Sequence, residues 1–304
     1  MKKLFFSVAS GFARLLPLPL KQGLYRFPAL ARLIRGSINA SVSDGLSEVK
    51  IAAGDLKGYR ILLNLKAEKS RWLGTYEPEL ADAVREFVRP GMIVYDVGAN
   101  IGYVSLLLAH AARPSGRVFA FEALPANIER IRRNVDLNRL GKQITLMPQA
   151  VADKSGELTF YVHESVGMGK VAGSAGRREE HYQAEITVRA LSLDEFVYGH
   201  GNPAPDVVKM DIEGGEVLAL PGMQRILMEH HPLLLLELHG PESEKVAWET
   251  LTAAGYSLYA MESGYPRIET PEKLGWKAYL IARTEIYNPG GSVGRNSILD
   301  ETIG

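Results

Sequence analysis

The sequence predicts an α/β fold, a doubly wound and mostly parallel sheet of seven strands whose last strand runs antiparallel. Two observations predict it. From residue 92 onward, short apolar runs that suit buried strands alternate with longer stretches of helical periodicity, the spacing of right-handed parallel units. The first run also breaks into a glycine-bearing turn, VYDVGANIGYVS (residues 94–105), at the kind of strand end where open α/β sheets bind ligands.

Before that alternation, residues 47–65 (SEVKIAAGDLKGYRILLNL) switch between apolar and polar around Gly54 and Gly58, as a small β-meander does. TYEPELADAVREFVRPG (75–91) reads as a helix entered at Glu77-Pro78, with proline in its first turn, and closed by Pro90-Gly91. Strands follow at 92–97, 117–122 and 144–147, separated by helices at 102–112 and 125–140, the second ended by Gly141. GELTFYVHE and AEITVRALSL then alternate strongly enough for a hairpin. Between them VGMGKVAGSAGRREEHY (166–182) is long, glycine-rich and charged, which suits a lid over a substrate better than a plain connection. The α/β pattern resumes with a strand at 206–210, a helix at 214–229, a very apolar strand at 232–238 and a helix at 242–254. Strands at 256–261 and 276–282 close the sheet, and residues 286–304 read as a flexible tail. The chain thus divides into a basic helical arm with the meander (1–74), the α/β domain (75–285) and the tail.

Composition narrows the function. With 35 basic and 35 acidic side chains the chain is neutral, without the basic surplus of a dedicated nucleic-acid binder. There is no cysteine, which excludes disulfides, thiolate nucleophiles and cysteine-ligated zinc and fits a reducing, cytoplasmic setting. The charge is uneven: residues 1–43 carry seven basic side chains and no acidic one. The opening MKKLFFSVASGFARLL begins like a signal peptide, but Arg14 interrupts its apolar run and no small-residue cleavage site follows. No run approaches the roughly 20 apolar residues of a membrane span. Two readings of this arm stand, helices that pack on the catalytic domain, which is preferred, and a basic surface at the inner face of an anionic membrane.

The turn nearly spells a dinucleotide fingerprint, except that Asn100 stands where the middle glycine would let a pyrophosphate approach. Asp96 closes the strand just before it. An anionic ligand there would be repelled by about 4 kcal/mol, for unit charges about 4 Å apart at an effective dielectric of about 20. S-adenosylmethionine, with a sulfonium, an ammonium and one carboxylate, suits such a site better. Glu122 ends the second strand twenty residues beyond Gly102, where an acid reaches ribose hydroxyls. Asp153, after the third strand, is a weaker candidate for the adenine end. The bland alternative leaves Gly98 and Gly102 to a tight turn and close helix packing, and the acids to solvated strand ends.

A second patch spans VVKMDIEGGE (207–216) and LLLLELHG (233–240), at strand ends expected to be neighbours. Side chains alternate along a strand, so Asp211 with Glu213, and Glu237 with His239, share a side if both strands stay extended. Methylating a hydroxyl requires removal of its proton by a carboxylate or imidazole within hydrogen-bond reach. His239 is the first choice of base, because an unperturbed imidazole titrates nearest neutrality. Asp211 then orients the methionine end or the acceptor hydroxyl, and Glu213 and Glu237 position the substrate. The same groups offer donors to a divalent metal that would acidify the hydroxyl, the less favoured variant. Glu216 reads as an acid favoured at a helix start.

With both patches in view, the sequence resembles the FkbM family of S-adenosylmethionine-dependent methyltransferases. The resemblance rests on TYEPEL, VYDVGANIGYVSLLLA, VFAFEALPANIERIRRNVDLN, AVADKSGELTFYV, VVKMDIEGGEVLALPG and LLLLELHG, in order from residue 75 to 239 and more loosely to 282. It implies a Rossmann-like class I methyltransferase fold and O-methylation of sugar or secondary-metabolite hydroxyls. It assigns Asp96, Gly98, Asn100, Gly102 and Glu122 to cofactor binding, with Asp211 near the methionine end and Tyr76 and Glu77 as further contacts. The implied partner is a small-molecule or glycan acceptor rather than nucleic acid, since MDIEGG stands where an Asp/Asn-Pro-Pro-aromatic turn would mark a base methylase. An NAD-linked oxidoreductase, disfavoured by Asp96 and Asn100, and a non-catalytic binding protein are the competing readings. The sequence leaves the oligomeric state open.

Overall fold

A computed structural model describes residues 45–163, 169–175, 182–275 and 277–285. The basic arm, the tail, and residues 164–168 and 176–181 of the expected lid region lie outside the described residues. Among those described, no helix is long and apolar enough to cross a membrane.

The chain opens with an antiparallel pair, β1 (Ser47–Lys50) and β2 (Arg60–Leu63). A short helix that the sequence did not announce, Lys69–Leu73, ends at Gly74 in the left-handed conformation and leads to the expected helix Pro78–Phe87. The parallel strands β3 (Ile93–Val97), β4 (Arg117–Phe121) and β5 (Ile144–Met147) alternate with the helices Tyr103–Ala112 and Pro125–Leu137. The last of these helices stops earlier than expected, because Arg139, not Gly141, takes the left-handed turn.

Strands β6 (Ala150–Val151), β7 (Gly156–His163), β8 (Gly169–Val171) and β9 (Tyr182–Leu191) form a separate four-stranded sheet ordered β6-β9-β7-β8. The expected hairpin is β7 with β9, and part of the stretch expected as a loop is the strand β8, antiparallel to β7. The chain returns to the main sheet with β10 (Val207–Met210), β11 (Leu233–His239), β12 (Ser257–Ala260), β13 (Arg267–Ile268) and β14 (Lys277–Arg283). The helix expected at 214–229 is instead two short helices, Glu216–Ala219 and Gln224–Glu229, around a 3-10 turn at Pro221–Met223. Proline lacks the amide proton a continuous helix needs, and Gly222 lies so close to Ala152 that a Cβ there would sit 2.1 Å from its carbonyl oxygen.

The main sheet runs β13-β12-β14-β11-β10-β3-β4-β5, with β5, β4, β3, β10 and β11 parallel and β14 antiparallel between β11 and β12. The seven expected strands are present with the expected antiparallel closure, and β13 adds a two-residue edge. From β3 the chain winds first to β4 and β5, then returns to β10 on β3's other side. The ends of β3 and β10 therefore form the topological switch point.

Alternation along the strands divides the core in two. Val94, Val207, Leu233 and Leu235 pack on one face with the helices Pro78–Phe87 and Tyr103–Ala112, whereas Tyr95, Val208, Met210, Leu234 and Leu236 pack on the other. A fully buried leucine contributes about 1.5–3 kcal/mol relative to exposure, so the run Leu233 to Leu236 fixes β11 in the centre. Asp96, Lys209, Glu237 and His239 continue the parity of the first face at the carboxyl ends. Three adjacent strands therefore turn polar at the same level.

The meander is not a separate unit. Ile51, Ile61, Leu63 and Trp72 belong to the same core cluster as Leu106 and Val94. A stripe on the helix Pro125–Leu137 and its end, at four-residue intervals, supplies hydrogen bonds along β2. Arg130 donates to the Leu62 carbonyl (2.9 Å), Asn134 Oδ1 accepts from the Leu62 N–H (2.8 Å), and Asn138 accepts from the Arg60 N–H (2.9 Å). Arg130 is neutralised by Glu68 at 2.7 Å.

Candidate active site

The turn after β3 is built from its backbone outward. Gly98 has φ +80°, and a Cβ there would lie 1.9 Å from the Asp211 carbonyl oxygen, so only glycine allows β3 and β10 to close this way. Asn100 is left-handed at φ 52°, a conformation that asparagine tolerates better than most residues. Gly98 and Ala99 donate their N–H groups to the Phe121 carbonyl at 3.1 and 2.9 Å, and Asn100 donates to Glu122 Oε2 at 2.8 Å. The other Glu122 oxygen accepts from the Leu124 N–H at 2.8 Å. Burial pushes the Glu122 carboxyl up to about 7, against the backbone N–H groups of Leu124 and Asn100 and the Asn127 side chain, which favour its charged form.

These groups line a cleft of about 100 Å³ that opens in part to solvent. Gly98, Asn100 and Glu122 form one wall, Asp211, Ile212 and Glu213 another. The four-stranded sheet covers them with Phe160 from β7 and Gly169, Lys170 and Val171 from β8. The insertion thus borders the cleft, as a lid would. Ala175, in the same connection, donates its N–H to the Gly214 carbonyl at 2.9 Å.

Beside the cleft lies the polar cluster at the ends of β3, β10 and β11. Asp96 is fully buried: it accepts from Ser105 Oγ at 2.5 Å and lies 3.5 Å from Lys209 Nζ. Lys209 also donates to the Gly98 carbonyl at 3.2 Å and stands 3.9 Å from Asp211. Burial opposes its charge, but Asp96, Asp211, Glu77 and Glu237 hold its pKa above the ordinary lysine value. His239, 13% exposed, is ringed by carboxylates: Nε2 is 3.2 Å from Glu237, 3.5 Å from Glu213 and 3.9 Å from Asp211, while Nδ1 is 3.6 Å from Glu216. Glu216 is itself fixed, accepting from the Ile212 N–H and from Ser243 Oγ, each at 3.0 Å.

This ring bears on the protonation of the expected base. Burial works against the imidazolium, yet the surrounding carboxylates of Glu216, Glu237, Asp211 and Glu213 raise His239 to about 10. A group so raised keeps its second proton through neutral pH. Asp211 stands beside it. Burial raises its carboxyl to about 7, Lys209 and His239 pull it down, and Glu237 and Glu213 push it up. Asp211, Glu237 and His239 each bring one ligand-type atom, all within 4.8 Å of one another, and two carboxylates with an imidazole suit a divalent cation. The imidazolium and Lys209 already supply positive charge to these carboxylates.

The remaining predicted residues divide. Gly98, Asn100, Glu122, Asp211 and Glu213 line the cleft together. Asp96 does not line it, and its charge is met by Lys209, so it is no unpaired anion awaiting a cationic ligand. Gly102, at φ +83°, starts the helix Tyr103–Ala112, and a Cβ there would lie 3.4 Å from Ile131 rather than in the cleft. Asp153 is exposed outside the cleft, because β6 draws the chain away to pair with β9, and Gln149, Ala150 and Val151 take its place in the wall. Tyr76 packs edge-on against Tyr103 under the Arg71 guanidinium, and Glu77 faces Lys209 and Glu237, on the cluster side rather than in the cleft. Sequence reasoning missed Lys209, Glu216, Asn127 and Gln149. Lys209 carried a signal: a lysine inside the apolar run VVKM needs a buried counter-charge, and the register places it opposite Asp96.

The sheet order, the antiparallel β14 between β11 and β12, the glycine turn after the first parallel strand and the acid closing the second together define a Rossmann-like class I methyltransferase fold. The chain belongs to the FkbM methyltransferase family, whose domain, described as Methyltransferase FkbM domain, matches residues 96–258. It is 28% identical over 165 residues to hexuronic acid methyltransferase AglP of Haloferax volcanii, a match covering 54% of this chain and 63% of that protein. It is 29% identical over 162 residues to 31-O-demethyl-FK506 methyltransferase FkbM of Streptomyces tacrolimicus, covering 45% of this chain and 61% of that one. The chain therefore spans less than two thirds of either relative. The crystal structure of methyltransferase FkbM from Methylobacillus flagellatus aligns with a TM-score of 0.42 at 18% identity, over 72% of this chain and 53% of that one.

Proposed function

We propose that this protein is an S-adenosylmethionine-dependent O-methyltransferase whose acceptor is a hydroxyl of a glycan, glycolipid or secondary metabolite. The observation that carries the reading is Asp211, which lines the cleft beside Gly98 and at the same time faces Lys209, Glu237 and His239. When bound, S-adenosylmethionine supplies a sulfonium methyl, whose transfer to a hydroxyl oxygen leaves the thioether S-adenosylhomocysteine and a proton to be removed. Glu122 would hold the ribose hydroxyls, and Gly98 and Asn100 would line the methionine end. Asp211, with its pKa drawn toward neutrality, takes the hydroxyl proton. His239 stays charged beside it, and Glu213 and Glu237 accept from further hydroxyls of the acceptor.

The cluster favours a hydroxyl over a carboxylate acceptor. A carboxylate has no proton to give up, so a proton acceptor such as Asp211 would have nothing to remove from it. The relatives support methyl transfer in general terms, one being named for a hexuronic acid and the other for an O-demethylated compound. The test is incubation with methyl-labelled S-adenosylmethionine and separated neutral oligosaccharides, glycolipids and small polyols. Label that survives mild base as a methyl ether is expected. Label released by mild base as a methyl ester overturns the hydroxyl reading, and cofactor binding to NAD but not to S-adenosylmethionine overturns the whole of it.

A further inference from the structure

We propose that Asn134 is a positioning residue for the cofactor, holding the Gly98–Gly102 turn from behind and tying it to the N-terminal meander. The proposal rests on the reading of the cleft as an S-adenosylmethionine site. Asn134 is fully buried on the helix Pro125–Leu137 and outside the cleft lining. Its Nδ2 donates to the Ile101 carbonyl at 2.8 Å, and its Oδ1 accepts from the Leu62 N–H at 2.8 Å.

The peptide plane carries this contact into the turn. Fixing the Ile101 carbonyl also fixes the Gly102 N–H in the same planar unit, and that N–H donates to the Ala99 carbonyl at 2.8 Å. The bond closes the loop around Asn100, whose left-handed backbone directs its own N–H to Glu122. A non-glycine residue keeps such a conformation only where its surroundings determine it. Lys209 holds the other end of the turn through the Gly98 carbonyl. A carboxylate expected to receive the ribose is therefore oriented by a turn gripped at both ends, and one grip is anchored on β2, a strand remote from the cleft.

The same stripe provides its own control. Asn138 bonds the Arg60 N–H and carbonyl of β2, at 2.9 and 2.7 Å, and the Asn134 backbone carbonyl at 2.7 Å, and does not reach the turn. Loss of Asn138 loosens the meander and the helix end but leaves the Asn134 side-chain amide on Ile101, whereas loss of that amide releases the turn. In Asn134→Asp the Leu62 N–H keeps its acceptor while the donor to Ile101 is gone.

The experiment is calorimetric titration of S-adenosylmethionine and of S-adenosylhomocysteine into wild type, Asn134→Asp and Asn138→Ala, with folding of each checked by circular dichroism. Expected are an affinity about tenfold weaker for Asn134→Asp, equivalent to about 1.4 kcal/mol, and wild-type affinity for Asn138→Ala despite a lower melting temperature. At saturating donor, Asn134→Asp keeps kcat within about twofold while its KM for the donor rises, the pattern of lost ground-state binding. If Asn134→Asp does not fold, Asn134→Ser, whose hydroxyl satisfies only one of the two partners, gives the same readout. Equal affinity in the Asn134 variant and wild type overturns the proposal, as does an equal loss in Asn138→Ala. No binding by wild type would instead refute the cofactor reading itself.

Discussion

If Asp211 removes the acceptor proton, the rate must follow its carboxylate. Its pKa stands at about 7, raised by burial and by Glu237 and Glu213 against the pull of Lys209 and His239. The ionised fraction is then about one tenth at one pH unit below and nine tenths at one unit above, so kcat rises about tenfold between about pH 6 and pH 8 and then levels. A base at His239, whose pKa is about 10, would give a different curve, still climbing tenfold per unit through pH 8 and 9. Neighbouring charges give the sign of two further shifts. His239→Gln removes a cation that lowers Asp211, so the rise moves to higher pH, and Glu237→Gln removes an anion that raises it, so the rise moves to lower pH. Asp211→Asn should cost about a hundred- to ten-thousand-fold in kcat, the usual worth of a positioned base. The assay is single-turnover methyl transfer from labelled donor across pH 5.5–10 at saturating substrates. A profile without a break near neutrality, or an Asp211→Asn enzyme within tenfold of wild type, refutes the reasoning.

Glu122 gives a second prediction. Its carboxyl, held up to about 7 by burial, accepts from ribose hydroxyls most strongly when ionised, so donor affinity measured by calorimetry weakens as pH falls through about 7. Glu122→Ala should weaken that affinity about ten- to hundredfold, as expected for charge-assisted hydrogen bonds. The linkage also sets a stability trend: between about 4.5 and 7 the native state keeps a proton that the unfolded chain has lost, so this group's contribution to stability falls as pH rises through that window. Activity should survive exhaustive chelation, because His239 and Lys209 already supply positive charge to Asp211 and Glu237. Loss on chelation with recovery on adding magnesium or manganese would make Asp211, Glu237 and His239 metal ligands instead.

Much of this architecture was legible in the sequence. Period-two strands and glycine-punctuated helices are local signals, so β3, β4, β5, β10 and β11 and their parallel order followed from spacing alone. So did the turn at Gly98 and the acid at Glu122, since a strand end, a turn and the next strand end are fixed by short stretches of chain. The broken helix after Gly214 was less legible, although Pro221 carried the warning, because Gly222 must meet Ala152 from the inserted sheet before its role is apparent.

What the sequence by itself determined is the fold class, the switch point and the list of groups brought to it. Tertiary structure decided which partners each of those groups meets. Asp96 looked like a free anion until register placed Lys209 opposite it. His239 looked like a base titrating near neutrality until β10, β11 and the helix at Glu216 surrounded it with four carboxylates. Asp153 looked well placed until β6 carried the chain out of the cleft. The reason is common to all three. Residue type and period fix which face a side chain takes, but its charge state and partners depend on burial and on neighbours far away in sequence, and only the packed sheet brings those together.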